Sequence, residues 1–153
     1  MVLVLNILWS GKLTQPKKST PEATVVIESF LGWSSSFIQK FVVIYKLWAE
    51  YKDNFPKKSR YTLGAKIEEY FLETIEALLI ASYLSKYEKL PYLKKAGVKL
   101  DLLKFFLQIA WESSALEKKH YILLSAPLNE IGKMLGGWMR GIQKETPANS
   151  GRK

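Results

Sequence analysis

Three cations fall within four residues at Lys57, Lys58 and Arg60, in the run FPKKSRYTL at 55–63. Pro56 stops what precedes it, and Ser59 is placed to cap a helix that continues through Lys66, Ile67 and Phe71. A helix N-terminus carries unsatisfied amide groups and the positive end of the helix dipole, so one ringed by cations suits an anion. A merely solvated turn is the plain alternative for these residues taken alone. Further cations, Lys94, Lys95, Lys99 and Lys104, step along a third helix, with Lys95 and Lys99 four apart on one face. Lys118 and Lys119 open a fourth, and Lys133, Arg140 and Lys144 follow along it. Singly, each reads as an ordinary exposed side chain. Collectively they suit a phosphate-binding surface that contacts backbone rather than bases. Binding to such a surface weakens by about 0.9 log units per phosphate contact for each log unit of salt.

Residues suited to catalysis are scarce. Glu69 and Glu73, and Glu73 and Glu76, pair along one helix. A di-metal bundle would use such carboxylates together with two E-x-x-H motifs facing inward. Only one E-x-x-H occurs, EKKH at 117–120, and His120 is the single histidine. The chain has no cysteine, which excludes disulfides, thiol nucleophiles and cysteine metal sites and suits a reducing cytosol. A serine nucleophile would need His120 beside it. LGGW at 135–138 is a glycine pair within a helical pattern, not a phosphate-cradling loop. The expectation is therefore no catalytic residue, no metal site and no cofactor.

These side chains need a scaffold, and the hydrophobic pattern supplies one. With 153 residues, 48% of them hydrophobic, the chain is long enough for one domain with a real core. The formal net charge of +9 favours polyanionic partners: nucleic acid first, an anionic membrane second. Apolar residues recur at helical spacing in four stretches. The first covers about 26–53, with Phe37, Phe41, Ile44, Trp48 and Tyr51. Gly32 and Ser34 to Ser36 are candidates to break it and restart a helix near Phe37. The second covers about 60–85, with Leu63, Ile67, Phe71, Ile75 and Leu78 inward and Glu68, Glu69, Glu73 and Glu76 mostly outward. The third, about 91–115, places Pro91 in its first turn and Leu93, Leu100, Leu103, Leu107 and Ala110 on its apolar face. The fourth, about 117–144, carries Leu124, Leu128, Ile131, Leu135, Trp138 and Ile142. Pro127 predicts a kink there, or a first turn starting near Ser125.

Short loops join antiparallel neighbours, so the economical architecture is all-α, an up-down-up-down four-helix bundle over 36–145. Residues 1–35 read as an N-terminal extension and linker, and 146–153 as a disordered tail. The opening MVLVLNILW is too short to span a bilayer and makes a poor signal peptide. It packs on the body, pairs as a strand, or is left over from an upstream start codon.

One feature points toward self-association, and a second concerns close helix packing. Phe105 and Phe106, with Leu102, Leu103, Leu107 and Ile109, leave the third helix apolar nearly all round, as a helix buried on more than one side would be. Gly132, Gly136 and Gly137 each cost about 1 kcal/mol against alanine in a helix interior. Such a cost is tolerated where a neighbour packs close. Trp138 and Trp111 are candidates within one subunit, the preferred reading over packing between subunits.

Several segments together resemble a known family: FIQKF at 37–41, FPKKSRYTLGAKI at 55–67, KLDLLKFFLQIA at 99–110 and NEIGKMLGGWMRGI at 129–142. From Phe37 to about Gln143 the chain resembles the four-helix-bundle accessory variability determinant of diversity-generating retroelements. More distantly, it is similar to four-helix-bundle proteins encoded in intervening sequences of bacterial ribosomal RNA genes. The resemblance implies a barrel-like homopentamer with a positive surface. It also implies a protein that binds RNA and/or cDNA and the element's reverse transcriptase, while the missing cysteine and the lack of a spanning segment give the expectation of a cytoplasmic protein with no membrane role. Such a protein supports mutagenic cDNA synthesis and is not itself catalytic. Lys57, Lys58, Arg60, Lys133 and Arg140 lie in the matching motifs and carry over as polymerase or nucleic-acid contacts. Lys95 and Lys99 join them from the charge pattern alone. A structural bundle that binds only protein, its charge merely solubilising, is the competing reading. A bundle enzyme is a third, and it lacks ligands.

Overall fold

A computed structural model describes the backbone of residues 21–145 and the side chains from Ser36 onward. The apolar opening, most of the linker and the C-terminal tail lie outside the described residues. The chain divides into two units, Met1–Gly32 and Trp33–Lys153. Residues 21–32 of the first are helical. All side-chain contacts below belong to the second.

Helix α1 spans Pro21–Lys52. Its backbone stays helical through Gly32 and the serines at 34–36, so the expected break is absent, and the end of the expected linker is helical too. Helix α2 has three parts in succession: a first turn Lys57–Ser59, a π-helical turn Arg60–Gly64 and an α-helical body Ala65–Tyr83. Helix α3 spans Leu90–Glu112, with its proline in the first turn. Helix α4 spans Lys118–Glu145. Pro127 lies inside α4, so the helix does not restart near Ser125. Proline has no amide to offer the Leu123 carbonyl, but this turn faces outward, with Ile122 and Leu123 both exposed.

Side-chain pairs fix the directions. Phe37 meets Trp138 edge-on at 6.4 Å, while Tyr51 stacks on His120 at 3.9 Å, so α1 and α4 run antiparallel. Lys99 reaches Glu73 and Phe106 packs on Tyr70, so α2 and α3 do the same. Trp111 stacks on Tyr121 at 4.9 Å and Gly97 faces Leu135 and Met139, setting α3 against α4. Lys52 near the end of α1 pairs with Glu68 near the start of α2. The result is the expected up-down-up-down four-helix bundle.

The core contains the anticipated stripes. Phe37, Phe41, Ile44 and Trp48 of α1 are buried, as are Ile67, Phe71 and Leu78 of α2. Leu93, Leu100, Leu103, Leu107 and Ala110 of α3 join them, with Leu124, Leu128, Ile131, Leu135 and Ile142 of α4. Phe71 sits within about 6 Å of three α1 rings, at 5.6 Å from Phe41, 5.8 Å from Tyr45 and 6.1 Å from Trp48. Burial of rings of this size dominates the stability of a small bundle. The α3–α4 turn closes on Ser114, which takes a left-handed φ of 59°. The amides of Ala115 and Leu116 both donate to the Ala110 carbonyl, at 2.8 and 2.9 Å. These bonds satisfy the end of α3, as a left-handed cap does, and Leu116 folds under as a buried plug.

Candidate functional site

The cation cluster at the α1–α2 corner is built differently from its sequence reading. Pro56 itself takes the cap position, with extended backbone, and no side chain caps the first amides. Ser59 already has helical φ and ψ and makes no capping bond. The helix therefore begins at Lys57, three residues earlier than a serine cap would place it. Lys57 and Lys58 are exposed. Arg60 is half-buried and turns back toward the chain: its Nη2 donates to the carbonyls of Asp53, at 2.6 Å, and Phe55, at 3.2 Å. It thus ties down two carbonyls of the turn that follows α1. Phe55 anchors the corner from below, edge-on to Trp48 at 5.4 Å.

The α3 cations do not form one row. Lys95 is exposed. Lys99 faces α2, 2.9 Å from the Glu73 carboxylate and 5.5 Å above the Tyr70 ring. Its charge is locally compensated. Lys94 and Lys104 face the opposite way, toward α4.

There the bundle opens a long groove of about 810 Å³ between α3 and α4. Lys94, Asp101 and Lys104 line it from α3, and Lys133 and Arg140 from α4. Gly132 and Gly136 form part of its floor, with Met139, and Asn129 and Gln143 complete the wall. The α4 residues recur at three- and four-residue steps, so they share one helix face. Lys104 pairs with Asp101 at 2.9 Å. Among the described residues, Lys94, Lys133 and Arg140 have no acid within ion-pair distance. Lys133 and Arg140 share this groove with Lys94 and Lys104 rather than with Lys95, Lys99 or the α2 corner. Lys94 and Lys104 were legible as cations. That they face α4 depends on which helix faces meet, and only pairing the polar face of α4 with 94, 101 and 104 of α3 would have revealed it.

The glycines also part company with expectation. A methyl group at Gly132 would meet Lys104 Nζ at 3.5 Å and Leu100 at 3.7 Å, which is ordinary contact. At Gly136 and Gly137 it would meet nothing within 4 Å among the described residues. Neither tryptophan fills that space. Trp111 stacks on Tyr121, and Trp138 packs against Phe37. Close packing within the subunit does not account for these two positions.

Three carboxylates of α2, Glu68, Glu69 and Glu73, serve as ion-pair partners. Glu68 accepts from Lys52 and from the Tyr45 hydroxyl, the latter at 3.2 Å. Burial and then this negative neighbour push the Tyr45 phenol above its ordinary value. Glu69 accepts from Lys66 at 2.9 Å, and that bond holds the Lys66 ammonium above the usual lysine range. His120 stacks on Tyr51. Among the described residues, no group of three or more acids and histidines is arranged to hold a metal ion. Nor is any described helix long and apolar enough to cross a membrane.

The bAvd-like family model matches residues 36–142, from within α1 to near the end of α4. The chain belongs to the bAvd-like family, the bacterial accessory variability determinants. No curated protein matches it. Within this bAvd-like chain, both cation groups fall inside the matched span, as do the exposed apolar residues of α3, Val98 and Phe105.

Proposed function

We propose that this bAvd-like protein is a non-catalytic accessory factor of a diversity-generating retroelement. It binds nucleic acid and the element's reverse transcriptase and supports mutagenic cDNA synthesis. The family match over the bundle carries this reading. The +9 charge and the unpaired cations support the nucleic-acid part. Exposed apolar side chains on α3, Val98 at 58% and Phe105 at 56%, support self-association. We take the assembly to be a homopentamer in the cytoplasm, with residues 36–145 as the working bundle and 1–35 as an appended segment. A ring repeats each cationic face, so a modest field per subunit becomes strong.

Two measurements test this. The mass of the particle in solution reports the assembly: a stable single-copy species defeats it. Retention of the reverse transcriptase and of RNA by the tagged full chain, with RNA retention lost as salt rises, tests the partners. Retention of the polymerase with indifference to RNA at low salt would favour a protein-only scaffold. The corner is probed with Lys57→Ala and Lys58→Ala rather than by removing Arg60, whose hydrogen bonds belong to the fold.

A further inference from the structure

We propose that the groove between α3 and α4 is a track for the phosphate backbone of a single nucleic-acid strand, with Lys94, Lys133 and Arg140 as its contacts. This rests on the reading that the chain binds nucleic acid, and it says where and how.

Three observations converge. The groove is sizeable, about 810 Å³, and open along its length. Three of its four cations have no acidic partner among the described residues, and its one acid, Asp101, is already paired with the fourth. Lys133 and Arg140 are two helical turns apart, about 10.5 Å along the axis at the usual rise, so the charge is spread along the groove rather than gathered at a point. A small anion needs a point; a polyanion needs a line. The floor supports the same conclusion. Gly136 lines the groove, and a methyl group there would meet nothing within 4 Å among the described residues. The glycine is therefore not held small by close packing, and it lies between Lys133 and Arg140 on the same helix face.

The lining also narrows the class of ligand. Among the described residues it contains no aromatic ring. Proteins that hold single strands by their bases stack them on aromatic side chains, whereas backbone binding needs only positive charge along a channel. The contact is therefore indifferent to base sequence. The occupant inferred here is a strand's phosphates, not an acidic protein segment, because the cations are spaced for a continuous charge. The test separates the two.

The experiment uses the full chain and a fluorescent oligothymidylate, titrated over a range of salt. The unaltered protein binds it. Replacing Lys94, Lys133 and Arg140 together by alanine lowers affinity about tenfold or more at low salt. It reduces the slope of log affinity against log salt by about 2, the value for three lost contacts to a single strand. Gly136→Trp fills the groove without changing charge and weakens binding similarly, whereas Gly136→Ala binds like the parent. Circular dichroism and particle mass stay constant across the set. An oligomer of unrelated base composition binds equally well. The groove assignment is overturned, with the accessory role intact, if the parent binds but Gly136→Trp and the triple variant bind just as tightly. It is also overturned if Gly136→Trp changes the particle mass, which would make the groove a subunit contact. Displacement of the strand by polyglutamate at equal charge concentration overturns it in favour of an acidic protein partner. No binding by the parent at low salt removes both this inference and the nucleic-acid reading beneath it.

Discussion

The corner between α1 and α2 and the groove between α3 and α4 both gather positive charge, and they use it in opposite ways. At the corner the charges are neighbours in the chain, three within four residues, but Arg60 is turned inward onto two carbonyls. In the groove, Lys94 is 39 positions from Lys133 and 46 from Arg140, yet the fold brings them to one channel. Density along the sequence therefore overstates the corner and conceals the groove. A cation becomes available to a ligand only when the fold leaves it without work of its own.

That contrast can be broken by experiment. The largest effect is expected on strand binding: removing Lys94, Lys133 and Arg140 costs about tenfold or more, while Lys57→Ala with Lys58→Ala costs less and lowers the salt slope by at most about 1.4, two single-strand contacts. Equal losses would erase the distinction. On stability the order reverses. Arg60→Ala exposes two carbonyls and leaves the corner untied, so denaturant unfolding should show a loss of about 1–3 kcal/mol. The Lys57 and Lys58 changes should stay within about 0.5 kcal/mol, as exposed substitutions do. Gly136→Ala should raise stability by about 1 kcal/mol, since alanine is the better helix former and nothing is crowded. Glu73→Gln is also a small change. Its partner Lys99 and Glu73 itself are both about a quarter exposed or more, so the pair contributes no more than about 1 kcal/mol, and added salt should shrink even that.

The bundle was largely legible because its information is local. Phe37, Phe41, Ile44 and Trp48, or Leu124, Leu128, Ile131 and Leu135, announce a buried helix face by their spacing alone. Helix starts were less legible. Ser59 has the right chemistry for a cap, but Pro56, already extended, lets the helix begin before the serine is reached. The role of Arg60 was hidden because its partners are backbone carbonyls, which every residue carries and no sequence distinguishes. Gly136 was read as a site of tight packing. A glycine records only that a side chain is missing, and open space leaves the same mark as a close neighbour.

The left-handed turn at Ser114 has a reach well beyond its few atoms. It reverses the chain so that α4 returns along α3, and that return is what sets Lys133 and Arg140 across the channel from Lys94. The electrostatic design of this molecule thus hangs on a hinge-sized piece of stereochemistry that contains no charge at all.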